Sequence, residues 1–195
     1  MFLRGKGLVV NSQSKVIYPR CFKGDIRKIY AQGEVFLEVA HDKKHPFIVE
    51  SDDFKLQVLG TKFNISNYKG GTTNIVLVEG AVEVTDKNEK KARLNPNDLL
   101  NIANGTIAYQ KQVDVAEYIS WVEGIMLLNG NDLSQIIQRL SIYYGISIQC
   151  DPIIGKEKVY GKLDLKDDID EVIECIQQTL PFTIEKSDTS IYLNK

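Results

Sequence analysis

LQVLGTKFNISNY, residues Leu56–Tyr68, is the stretch whose reading decides the fold. GEVFLEV (Gly33–Val39) precedes it and VLVEGAVEV (Val76–Val84) comes after it. In all three, apolar and polar residues alternate between Gly-containing turns, the period-2 signature of antiparallel strands. Leu59-Gly60-Thr61 is expected to turn one strand onto the next. Lys55–Leu59 and Lys62–Ser66 then form a central pair whose register fixes its neighbours.

Working outward, short strands are expected at Gly7–Val10, Lys15–Tyr18 and Asp25–Gln32. In Gly33–Val39 the residues Val35, Leu37 and Val39 share one face, with Glu34, Phe36 and Glu38 on the other. A strand can begin at Pro46, because proline is tolerated at a first position. Asn74–Glu79 and Ala81–Thr85 come next, then a polar hairpin tip over Asp86–Lys91. Asn104-Gly105 is a two-residue hairpin signal between Leu99–Ala103 and Ile107–Gln112. About ten short strands at this spacing predict an all-β domain over residues 1–112, built as a sandwich, a jelly roll or a short β-helix.

From Val113 the pattern changes. Residues 113–124, with the sole tryptophan Trp121, read as a linker or bridging helix. Leu133, Ile136, Ile137, Leu140 and Tyr144 then recur at helical spacing, as do Ile169, Val172, Ile173, Ile176 and Leu180, each set 36 residues from its counterpart. Ile146 and Ile148 repeat as Phe182 and Ile184 at the same offset. Asp132 and Asp168 stand where helix N-caps belong, and Gly145 and Pro181 are stop signals. Two βαβ units in tandem with a terminal strand at Ile191–Leu193 predict a small α+β domain over residues 113–195.

The composition is that of an ordinary globular chain: 43% hydrophobic, 26% charged, net charge −2. That balance argues against a nucleic-acid partner, which selects for a basic face. No apolar run approaches the length of a membrane span, and MFLRGKGLVV lacks the apolar core of a signal peptide. Cys21, Cys150 and Cys175 have no metal-ligand spacing; His41 and His45 lie in one turn sequence, so neither metal nor cofactor is expected. Cys150 and Cys175 suit either a disulfide or buried thiols.

Catalytic signatures are absent: there is no GxSxG, HExxH, P-loop or GxGxxG. The residues read as a non-enzyme, with one exception to weigh. At Gly60-Thr61 the threonine hydroxyl could attack the preceding carbonyl, an N→O acyl shift that leaves an ester open to hydrolysis. The same dipeptide serves equally as a turn or bulge. In the second domain, strand edges can recruit a partner strand by backbone pairing, and Ile191, Tyr192 and Leu193, together with Val159–Leu163, are the candidates. A rival reading is a polymer- or carbohydrate-binding β-module, for which Tyr30, Phe36, Tyr68 and Tyr109 are scattered instead of clustered.

NSQSKVIYPRCF (Asn11–Phe22), GEVFLEVAHDKKHPFIV, VLGTKFNISNY, LVEGAVEV and LNPNDLL, in that order, resemble the periplasmic domain of FecR-type anti-sigma regulators. Residues 121–195, beginning WVEGIMLLNGNDLSQIIQRLSIYYGI, resemble the C-terminal domain attached to such regulators in Bacteroidetes, itself similar to the short signalling modules of transporters and secretins. The resemblance implies signal relay by protein–protein docking in the periplasm. The implied partner is the signalling domain of a TonB-dependent outer-membrane transporter. An extracytoplasmic-function sigma factor would be bound through a cytoplasmic segment which, like the inner-membrane anchor, is absent from this sequence. Some relatives cleave themselves at the glycine–threonine of this block, here Gly60-Thr61.

Overall fold

Thirteen consecutive residues, Arg27–Val39, form one strand, β3, through which the N-terminal half is assembled. The computed structural model describes residues 7–187 and 189–195. The two strands expected on either side of Gly33 are thus a single one. Gly33 adopts φ +90, and a Cβ there would stand 2.4 Å from Ser14 Oγ, so only glycine lets the strand continue past this point. Before Gly33, β3 pairs with β2 (Lys15–Ile17) and with β4 (Phe47–Glu50), the latter in parallel. From Gly33 onward it pairs with β1 (Leu8–Val10) and β6 (Thr61–Asn67).

Two wings extend from this shared strand. One continues from β6 through β7 (Thr73–Glu79) and β10 (Asp98–Ala103) to β11 (Thr106–Gln112). The other runs from β4 through β5 (Phe54–Val58) and β8 (Val82–Asp86) to β9 (Lys91–Leu94). Both contribute to one core: Val35, Leu37, Phe63, Ile65, Ile75 and Leu100 from the first wing meet Phe47, Leu56, Val84 and Leu94 from the second. Burial of such side chains contributes roughly 1.5–3 kcal/mol each. Val35, Leu37 and Val39 face this core as expected, while Phe36 is also buried, at 9% exposure, on the opposite face.

The hairpins read from Asn104-Gly105 and Asp86–Lys91 are present: Asn104 and Gly105 take φ 52 and 74, the left-handed pair of a type I′ turn. The expected central pair is not. β5 lies between β4 and β8, and β6 lies between β3 and β7, so Leu59-Gly60-Thr61 carries the chain from one wing to the other. Alternation determines which residues face the core, but partner choice depends on strands distant in sequence.

The chain divides into two compact units between Tyr118 and Ile119. Near the division lie a short helix α1 (Ala116–Ile119) and a 3-10 turn over Ser120–Glu123 containing buried Trp121.

In the second unit β12 (Ile125–Asp132), α2 (Leu133–Tyr144) and β13 (Ser147–Cys150) form the first repeat. After a 3-10 turn over Ile154–Lys156, β14 (Lys158–Asp164), α3 (Ile169–Gln177) and β15 (Thr183–Lys186) form the second. The strands of each repeat part company: β12 pairs with β14, whereas β13 and β15 flank the terminal strand β16 (Ser190–Asn194). Leu133, Ile136, Ile137 and Leu140 of α2 are buried, as are Val172, Ile173 and Ile176 of α3, and α2 contacts a strand of each sheet.

Asp168 caps α3 by accepting the Asp170 and Glu171 amides at 3.0 and 3.1 Å. Asp132 holds the corresponding position but makes no cap bond; its carboxylate pairs with Lys158 Nζ at 2.9 Å. Gly145 ends α2 at φ 69. Cys21, Cys150 and Cys175 are free thiols.

Candidate functional site

Gly60 and Thr61 sit where three segments converge. A Cβ on Gly60 would lie 2.4 Å from His41 Cα and 2.7 Å from its Nδ1, so the dipeptide is held close against the β3–β4 connection. Asp42 N–H donates to Leu59 C=O at 2.7 Å across the same contact. On the other side is Gly80, with φ +96; a Cβ there would meet the Gly60 carbonyl oxygen at 2.7 Å. Thr61, 4% exposed, donates its hydroxyl to Ala81 C=O at 3.1 Å. Glu38, Val39, His41, Lys62 and Glu79 line a cavity of about 220 Å³ beside the pair. Lys62 Nζ stands 3.4 Å from Glu38 and 3.7 Å from Glu79.

This geometry defines what the dipeptide can do. Attack of Thr61 Oγ1 on the Gly60 carbonyl carbon requires the hydroxyl to release Ala81, and the acceptor it now has is a carbonyl, a feeble base. As packing, each part has a reason. Glycine is required at 60 and at 80 by close approach, and threonine at 61 satisfies the Ala81 carbonyl inside the corner. The β3–β4 connection is itself clamped: Arg27 donates from Nε to His45 C=O at 2.9 Å and from Nη1 to Ala40 C=O at 3.3 Å, over the Phe47 ring. His45 Nδ1 lies 2.8 Å from Asp42 Oδ2, and that contact, with two amides, holds the Asp42 carboxyl down at about 2. Sequence reading placed neither His41 nor Gly80 at this corner. The one local signal was the glycine of Glu79-Gly80-Ala81 at the end of a strand.

The Asn11–Ser14 motif is also structural. Glu34 receives Asn11 Nδ2 at 2.8 Å and Asn64 Nδ2 at 3.0 Å, and its amide donates to Ser14 Oγ at 2.8 Å. Tyr68 OH donates to Ser12 C=O at 3.2 Å, and burial pushes its phenol up to about 12. The motif ties the β1–β2 loop onto the point where β3 changes partners.

Of the docking candidates, Ile191, Tyr192 and Leu193 do not form an edge. β16 is hydrogen-bonded to β13 on one side and β15 on the other, and Ile191 and Leu193 are 3% and 0% exposed. A terminal strand inserted between two others has no backbone groups left to offer. β14 does, because among the described residues it pairs with β12 alone. Leu165 N–H donates to Gly124 C=O and Leu133 N–H to Glu157 C=O, which fixes the phase of the ladder. Residues 159, 161 and 163 therefore turn their backbone groups toward β12, and Lys158, Tyr160, Lys162 and Asp164 turn theirs outward. Val159 and Leu163 point side chains into the core at 8% and 5% exposure, while Tyr160 is 72% exposed.

A larger cavity of about 400 Å³ lies over the outer face of β5 and β8, lined among others by Glu50, Asp53, Lys55, Glu83, Lys87 and Lys91. Asp53–Lys87 and Glu83–Lys91 pair within it at 2.8 and 2.9 Å. Its one aromatic, Phe54, is buried, so it offers no stacking platform for a sugar. Among the described residues no cluster of three His, Cys, Asp or Glu side chains is placed to hold a metal ion. No helix among them is long and apolar enough to cross a membrane.

Residues 4–83 match the family model described as FecR protein, and residues 125–193 the model described as FecR, C-terminal. No curated protein matches the chain. Among solved structures, a candidate anti-sigma factor from Parabacteroides distasonis ATCC 8503 is similar at 30% identity and TM-score 0.83, over 100% of this chain and 93% of that one. A second structure of the same description and organism gives 30% and 0.82, over 100% and 92%. Matched in both units and along nearly the full length of a solved relative, this chain belongs to the FecR family.

Proposed function

We propose that this chain is the signal-receiving body of a FecR-type anti-sigma factor and that it works in the periplasm. The β unit serves as the scaffold. The α+β unit docks the signalling domain of a TonB-dependent outer-membrane transporter. The signal passes on to an extracytoplasmic-function sigma factor. The observation that carries the reading is the presence, in one chain, of both family modules in their order. The outward edge of β14 supports a docking mode by strand addition, which needs unpaired backbone groups and little side-chain rearrangement.

The test is a calorimetric titration of the full chain with purified signalling domains of transporters encoded near its gene. Micromolar or tighter binding to one of them is expected. Absence of binding to all, with both proteins folded, overturns the proposal. The mode is tested by Tyr160→Pro, which removes an outward N–H while leaving the bonds to β12 in place. Loss of binding is expected, and unchanged affinity would discard β14 as the docking strand.

A further inference from the structure

We propose that a second copy of this chain pairs with the open edge of β14, antiparallel and about a twofold axis through Gly161. The strand reads KVYGKLD, and about its central glycine it complements its own reverse. Lys158 meets Asp164 of the second copy, Val159 meets Leu163, and Tyr160 meets Lys162. One opposed pair is an ion pair and one is apolar, and the third sets Lys162 opposite Tyr160, whose hydroxyl end lies over Gly130 of β12.

The backbone phase agrees with this register. Lys158, Tyr160, Lys162 and Asp164 carry the outward N–H and C=O groups, and an axis through Gly161 sets these residues opposite one another as hydrogen-bonded pairs. Gly161 then meets Gly161 in a non-bonded pair, where backbones approach most closely. No atom outside its chain neighbours lies within 4 Å of a Cβ placed there, so the approach is open. A slip of two residues in one direction sets Lys158 against Lys162. In the other it sets Lys158 against Lys166 and Lys162 against its own copy. A slip of one turns outward backbone groups against inward ones. Within two residues of slip in either direction, the charges therefore favour this register, and it is the one that pairs the whole of the strand.

The other open edges of this unit have no such property. β12 carries no cation and β13 no charge. In β15 the adjacent Glu185 and Lys186 cannot both face outward. An isologous contact of this kind joins two two-stranded sheets into one of four strands, closed by its own symmetry. It is small, which places it among weak interfaces.

The edge can hold one occupant at a time, so a second copy and a transporter strand exclude one another there; the pairing of copies is read with the protein alone, and its failure leaves transporter docking untouched. Sedimentation equilibrium of the full chain from about 10 µM to about 1 mM covers the affinities expected of so small a contact. A concentration-dependent dimer is expected. Lys158→Asp and Asp164→Lys should each weaken it by about tenfold or more, since each reverses two symmetric ion pairs. The double variant should restore it. Lys158→Asp also breaks the contact with Asp132 inside the chain, and the double variant leaves that contact broken, so recovery reports pairing between copies alone. Circular dichroism checks that every variant is folded. A monomer across the whole range, a dimer indifferent to the single changes, or a double variant no better than the singles would overturn the proposal.

Discussion

The α-carbon of His41 stands 2.4 Å from where a side chain on Gly60 would begin. Because the obstacle is backbone, it cannot swing aside as a flexible side chain does. Gly60→Ala should therefore destabilise the β unit by ~3 kcal/mol, the upper range for overpacking a buried site. Thermal and denaturant melts measure it. Gly71→Ala, whose Cβ meets only the Tyr68 carbonyl oxygen at 3.4 Å, is the control and should change stability by less than about 0.5 kcal/mol.

The bond between Gly60 and Thr61 should remain intact in the purified chain, because the Thr61 hydroxyl is buried and committed to Ala81. Intact mass and a denaturing gel after prolonged incubation test this. Fragments ending at residue 60 and beginning at residue 61 would assign chemistry to the corner. Thr61→Val, which removes the hydroxyl but keeps the shape, should cost about 1 kcal/mol through loss of the bond to the Ala81 carbonyl.

Acid should weaken the β unit through two carboxyls. The Ile107 amide, with those of Lys90 and Asn88, lowers the Asp86 carboxyl from its ordinary 3.8; Asp42 lies at about 2 through His45. Folded values below unfolded ones mean that this stability is fully present above about pH 4 and is lost as pH falls toward 2. Asp86→Asn should be less stable at neutral pH and show a shallower acid loss in urea melts at pH 7, 4 and 2.5.

Base should act on the other unit. Burial first, then the neighbouring Tyr143 and nearby carboxylates, push the Tyr144 phenol up to about 12, and its one hydroxyl proton is shared between the Leu165 and Asp167 carbonyls. A folded value above the ordinary 10 keeps this contribution whole below pH 10 and removes it as pH rises toward 12. Tyr144→Phe should lose about 1 kcal/mol at neutral pH and flatten the alkaline limb.

Legibility in the residues tracked how local the determining physics is. Alternation in Gly33–Val39 set the core face, and Asn104-Gly105 set a turn, because each depends on adjacent residues only. The helices of the second unit were legible from two matched apolar stripes. Strand partners were not. Gly60 has the same local appearance in a hairpin as in a crossing between wings, and Gly33 looks like a turn although the strand runs through it. The candidate docking strands divide the same way. Val159–Leu163 lie on an open strand, whereas Ile191–Leu193, last in the chain, fill the middle of a sheet. Sequence position gives no indication of such an insertion.

β3 belongs to both wings, with neighbours on each side along each of its halves. Peeling either wing away leaves the other with half of its longest strand unsupported. The N-terminal unit consequently has no internal seam along which to come apart in stages. Its most protected amides should lie around Gly33 and exchange only through global opening. A load applied to one wing is thus borne by the other through continuous peptide, so the unit should yield to force as one stiff body and not wing by wing.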